Sequence, residues 1–105
     1  MIGELFADVT KSAETSPGKP YSEVQVTVSQ VKDGRFRVQV THSWGSNQVH
    51  YEELGKIKAG AFAWSISDAI CDARDRANAA GIQGILLEQA LWAAEDAAEA
   101  KLAEQ

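Results

Sequence analysis

One cysteine, Cys71, stands in the 105 residues. No internal disulfide can form, and a reducing cytoplasm is the expected home. The prolines are two, Pro17 and Pro20, both in the stretch Thr15–Pro20, so proline interrupts the backbone in a single place. No apolar run approaches the roughly 20 residues of a membrane span. The greasiest stretches, Ala61–Trp64 and Ile85–Leu87, are a few residues each, and no membrane partner is expected. The amino terminus, Met1–Asp8, lacks a basic segment and a long apolar stretch, so it does not read as a secretory signal. With 45% hydrophobic and 24% charged residues, disorder and a collagen-like repeat are excluded as well. Residues 1–105 read as one domain with one modest core.

Catalytic motifs are also missing. The chain has no Gly-x-Ser-x-Gly elbow, no Gly-x-x-x-x-Gly-Lys-Ser/Thr loop and no Gly-x-Gly-x-x-Gly turn. Glu52-Glu53 is the nearest carboxylate pair, but consecutive strand residues point to opposite faces. His42 and His50 flank a predicted turn without an evident third ligand, a poor basis for a structural zinc site. Cys71 lies mid-helix beside Asp72, which raises rather than lowers a thiol pKa, so it reads as buried and inert. No enzyme, cofactor or metal is expected.

Charge is present but uneven. Residues 1–80 carry 9 Lys+Arg against 10 Asp+Glu, and residues 81–105 carry 1 against 5, for a net charge of −5. Such a balance counts against nucleic acid as a partner, because that affinity comes largely from cations displacing condensed counterions.

The hydrophobic pattern divides the chain. Ile2, Leu5, Phe6 and Val9 fall at i, i+3, i+4, i+7, which predicts a short helix within residues 1–14. Residues 15–22 read as a loop around the two prolines. Strict alternation then begins: Val24, Val26 and Val28 on one face, Glu23, Gln25, Thr27 and Ser29 on the other. Asp33-Gly34 marks a hairpin into Phe36, Val38 and Val40, which alternate with outward Arg35, Arg37, Gln39 and Thr41. A second reversal at Gly45-Ser46-Asn47 leads into Val49 and Tyr51, and residues 55–64 supply either a fourth, irregular strand or a bulged edge or loop. The antiparallel sheet spans 23–64. Ser65 or Ser67 can cap a helix over 65–80, whose Ala-rich face suits close packing, and Gly81 is placed to end it. A second, acidic helix covers 83–104. The expected fold is α+β: a short N-terminal helix, a three- to four-stranded antiparallel meander, and two C-terminal helices on one face of the sheet.

Two surfaces stand out. On the last helix Leu87, Leu91, Ala94, Ala98 and Leu102 form one stripe at about 100° per residue, and Trp92 falls off it among Glu88, Glu95, Asp96 and Glu99. A large aromatic in an acidic face is the composition of an anchor for a protein partner with a basic surface. The competing readings are packing of Trp92 within the subunit and a seam between copies of the chain. On the sheet, Lys32, Arg35, Arg37, Lys56 and Lys58 could track a phosphate backbone, with Trp44 or Tyr51 as a stacking surface. The competing reading there is cations that discourage edge-to-edge aggregation.

A small acidic α+β domain with a Glu-rich tail is similar in composition to many short phage or mobile-element proteins, including inhibitors of host defence that bind by acidic surfaces. The stretch Gly60–Ala80 also resembles the last strand and helix of double-stranded-RNA-binding folds. The Lys-rich helix start of those folds is replaced here by Ser65-Ile66-Ser67-Asp68, which counts against RNA. The expectation is a small non-enzymatic protein-binding module, a phage or mobile-element accessory or inhibitor protein acting through the acidic helix face. The alternatives are a single-stranded nucleic-acid-binding domain using the basic sheet face and a homo-oligomeric structural protein.

Overall fold

The valine alternation of residues 23–30 sets the architecture. In the computed structural model, which describes residues 4–13, 21–46 and 52–105, Val24, Val26, Val28, Phe36, Val38 and Val40 are all buried on one face of a sheet. Four antiparallel strands build it in the order β1-β2-β3-β4: β1 (Leu5–Ser12), β2 (Tyr21–Gln30), β3 (Phe36–Gly45) and β4 (Glu53–Ala63). Two helices, α1 (Ile66–Ala79) and α2 (Ile85–Ala103), cover the valine face, α1 over β3 and β4, α2 over β1 and β2. The fold is α+β. Among the described residues the other face of the sheet carries no helix, as an antiparallel sheet with a clean apolar/polar alternation permits. No helix among the described residues is long and apolar enough to cross a membrane.

Local chemistry explains the joints. Gly34 adopts φ +100° in the β2–β3 hairpin, closed by Val31 N–H donating to the Arg35 carbonyl at 2.8 Å. The Ser65 hydroxyl accepts from the Asp68 N–H at 3.1 Å and caps α1. At the other end Gly81 takes φ +97°, and the Ile82 and Gly81 N–H groups donate back to the carbonyls of Ala77 and Asn78. This pairing is a Schellman turn, and it buries Ile82 beside Ala77. Both helices meet the sheet through alanines, Ala69, Ala73 and Ala77 on α1 and Ala90, Ala94 and Ala98 on α2, all fully buried. Small side chains let the backbones approach closely, and Ile66, Ile70, Leu87 and Leu91 fill the space between them.

The expected N-terminal helix is instead β1, an edge strand. Leu5 pairs with Ser29 and Ala7 with Val28, so Phe6 is the extra residue of a β-bulge. The bulge turns both Phe6 and Ala7 toward the core, with Val9 packed against it. Phe6 and Val9, three residues apart, both face inward only because of the bulge, and that spacing imitates a helix; Leu5, which completes the apparent stripe, is 50% exposed. Ile2 lies outside the described residues. The Lys101 ammonium donates to the Leu5 carbonyl and lies 5.5 Å from the Phe6 ring centre, tying the end of α2 to this edge.

Further differences concern the loops. Tyr21 and Ser22 belong to β2, not to a loop; residues 14–20 lie outside the described residues. So do 47–51, and with them the strand expected around Val49 and Tyr51. β4 pairs directly with β3, from Phe36 opposite Ala63 to Gly45 opposite Glu53, so residues 53–63 form an edge strand, irregular at its start, where the register shifts past Leu54. Cys71 is exposed, not buried, because it falls off the stripe of Ile66, Ala69, Ile70, Ala73 and Ala77.

Candidate nucleic-acid interface

Alternation along β4 decides what the open face displays. Ala61 is buried and Ile57, Ala59 and Ala63 are packed against the core, so Lys56, Lys58, Gly60 and Phe62 point the other way. Register places them beside β3 residues of the same face: Lys56 opposite Ser43, Lys58 opposite Thr41, Gly60 opposite Gln39, and Phe62 opposite Arg37. Phe62 is 48% exposed although it sits in a strand. The Arg35 and Arg37 guanidinium carbons lie 5.1 Å and 5.9 Å from its ring centre, within cation–π range. Trp64, one residue past the strand, is 71% exposed beside the hairpin, where a Cβ on Gly34 would meet its ring at 3.7 Å. One corner of the open face therefore unites two wet aromatics and two arginines.

Not every cation there is free. Arg35 Nε donates to Asp33 Oδ2 at 2.9 Å, and Lys56 pairs with Glu53 at 3.3 Å. The hydrogen bond from the Arg35 backbone N–H, followed by its guanidinium, holds the Asp33 carboxyl below its usual value. Arg37, Lys58 and the exposed Lys32 make no ion pair among the described residues. Farther across the sheet the acids have partners: Asp8 accepts from Gln25 at 2.9 Å, and Glu23 accepts from Tyr21 at 3.0 Å and Ser43 at 3.4 Å.

The acidic helix face lies on the opposite layer. Leu87, Ala90, Leu91, Ala94 and Ala98 face the sheet, and Trp92 is 60% exposed. Glu88 is half-buried and bound to Arg74 of α1 at 3.0 Å, so one of the four carboxylates around the indole is already partnered. Glu95 is half-buried, and Asp96 and Glu99 are exposed.

Trp44, expected as a stacking surface, faces the wrong way: it continues the inward series Phe36, Val38, Val40, His42. Its ring lies over Gly55, where an added Cβ would overlap it, and 5.1 Å from the His42 ring. Tyr51 and His50 lie outside the described residues. Phe62 and Trp64 are the aromatics that sequence reading missed. The signal was present, since Phe62 is in phase with Lys56 and Lys58.

His42 makes a further point about chemistry. Its Nε2 lies 2.8 Å from the Ser22 hydroxyl oxygen, while its Nδ1 is buried without a hydrogen-bond partner among the described residues. No group of three or more metal-ligating side chains gathers among the described residues. Desolvation lowers the His42 pKa, favouring the neutral ring in the fold. The linkage has a definite sign: His42's contribution to stability is intact above its unfolded value of about 6.5 and is lost as pH falls through the lower folded value. The thermal midpoint should therefore drop on acidification from pH 7 to 5, and His42→Gln should flatten that drop; an equal slope in the variant would assign the acid sensitivity elsewhere.

Comparison of the chain with protein-family models, with curated proteins and with solved structures gives no match in any of the three.

Proposed function

We propose that the protein binds single-stranded nucleic acid on the open face of its sheet. The observation that carries this reading is Phe62, half-exposed on the strand face between Arg35 and Arg37, with Trp64 beside it and Lys58 on the same strand. Wet aromatics supply stacking surfaces that any base can use, and the cations supply a path for phosphates. A duplex hides its base faces, so the aromatics favour a single strand. The chain's net charge of −5 is concentrated in the helices, and the rest of the chain is near neutral, with 7 Lys and Arg against 8 Asp and Glu. The helices carry Asp68, Asp72, Asp75, Glu88, Glu95, Asp96 and Glu99 against Arg74, Arg76 and Lys101. A helix with its side chains is about 10–12 Å across, which puts its outer carboxylates beyond the Debye length of about 10 Å at 0.1 M salt. Fluorescence anisotropy of a labelled 12-nucleotide strand tests the reading: binding that weakens steeply with salt supports it, and no binding at the lowest salt retires it.

A second reading rests on Trp92. An indole 60% exposed beside Asp96 and Glu99 supports a contact with a basic protein partner or a second copy of the chain. The two readings use opposite layers and separate by mutation.

A further inference from the structure

Resting on the nucleic-acid reading above, we propose that Gln39, Gly60 and Phe62 form a base-reading position, in which a nucleobase stacks on Phe62 over Gly60 and the Gln39 amide hydrogen-bonds its edge. Along the open side of β4, Lys56, Lys58 and Phe62 all carry long side chains and Gly60 carries none. The sheet has its own reason for this glycine, since a Cβ there would lie 3.2 Å from the Val38 carbonyl oxygen. Its effect on the surface is what matters: four residues of strand, about 13 Å, separate Lys58 from Phe62 with bare backbone between them. Phe62 stands at one end of that gap, two residues past Gly60 on the same face.

Gln39 stands directly across from Gly60 in the register. The other described glutamines of β2 and β3 are occupied: Gln25 donates to Asp8 at 2.9 Å and Gln30 to the Gly34 carbonyl at 3.0 Å. The Gln39 amide makes no hydrogen bond to a described residue. It presents a donor and an acceptor side by side, half-buried at the floor of the gap. Arg37, next along β3 on the same face, and Lys58, next along β4, lie on either side of this pair to take the flanking phosphates. An amide can pair with adenine on either of two edges, N1/N6 or N7/N6, and the purine offers a larger stacking surface than thymine, so adenine is the expected preference of the two.

The test compares 12-nucleotide oligo(dA), oligo(dT) and an oligonucleotide with abasic residues, on wild-type protein and Gln39→Ala. The expected result is tighter binding of oligo(dA) than oligo(dT), with Gln39→Ala bringing the ratio close to one while oligo(dT) affinity changes less than twofold. The abasic strand should bind roughly tenfold or more weakly, as loss of stacking implies. Gly60→Val, checked for an unchanged thermal midpoint, should weaken oligo(dA) but not the abasic strand. A dA/dT ratio that Gln39→Ala leaves unchanged overturns the base-reading position and spares the broader reading. Absence of binding to every oligonucleotide overturns both. Polyglutamate binding as tightly as oligo(dA) would make the face a site for acidic peptides and overturn both as well.

Discussion

Leu91→Ala is expected to lower the thermal midpoint by roughly 10–25 °C, whereas Trp92→Ala, one residue farther along α2, should move it by about 4 °C or less. Leu91 is fully buried in the layer where α2 meets β1 and β2, in one core cluster with Val26, Val28, Leu87 and Ala94. Truncation there loses the transfer free energy of the side chain and leaves a cavity that the sheet cannot close, together about 2–5 kcal/mol. That is a large part of the about 5–15 kcal/mol by which a domain of this size is stable. Trp92 leaves most of its ring in water, so truncation removes little buried surface. Circular dichroism melts of the two variants make the comparison. A collapse of the Trp92→Ala variant would show that the indole is structural and remove the second functional reading; an intact fold with lost capture of a basic partner would support it.

The same pair shows what a helix reveals from sequence alone. Helical phase separates Leu91 from Trp92 because the long run from Leu86 to Leu102 holds no glycine or proline and its stripe repeats over four turns. β2 and β3 are equally legible, since Val24/Val26/Val28 and Phe36/Val38/Val40 alternate strictly on either side of Asp33-Gly34. β1 is not legible, because a single bulged residue, Phe6, breaks the period of two. β4 is obscured for another reason. Its inward residues are Ile57, Ala59, Ala61 and Ala63, kept small by the close approach of α1, while its outward residues include the large Phe62. Size then points the wrong way, and only the phase shared with Lys56 and Lys58 places Phe62 in the candidate site. Trp44 errs in the opposite sense: its phase is that of Val38 and Val40, which assigns it to the inner face despite its position beyond most of the helical cover.

The largest functional effect is expected from Arg37→Gln combined with Lys56→Gln and Lys58→Gln. For single strands each phosphate contact contributes about −0.7 to the slope of log affinity against log salt, so losing three should reduce the slope by about 2 and weaken binding about a hundredfold at 0.1 M salt. The deficit should vanish on extrapolation toward 1 M, where counterion release no longer favours binding. Lys56 and Lys58 are exposed and Arg37 is half-buried, so the fold should melt within a few degrees of wild type. The decisive comparison is the opposite change on the other layer. Glu95→Gln, Asp96→Gln and Glu99→Gln raise the net charge as far as the first variant lowers it, yet these carboxylates lie behind the helical layer from the open face. If the cations act locally, the second triple variant changes affinity by less than about threefold at 0.1 M, because charges separated by more than a Debye length are largely screened. Equal and opposite effects of the two variants would mean that net charge alone governs association. The aromatic corner of Phe62 and Trp64 would then have no part in recognition.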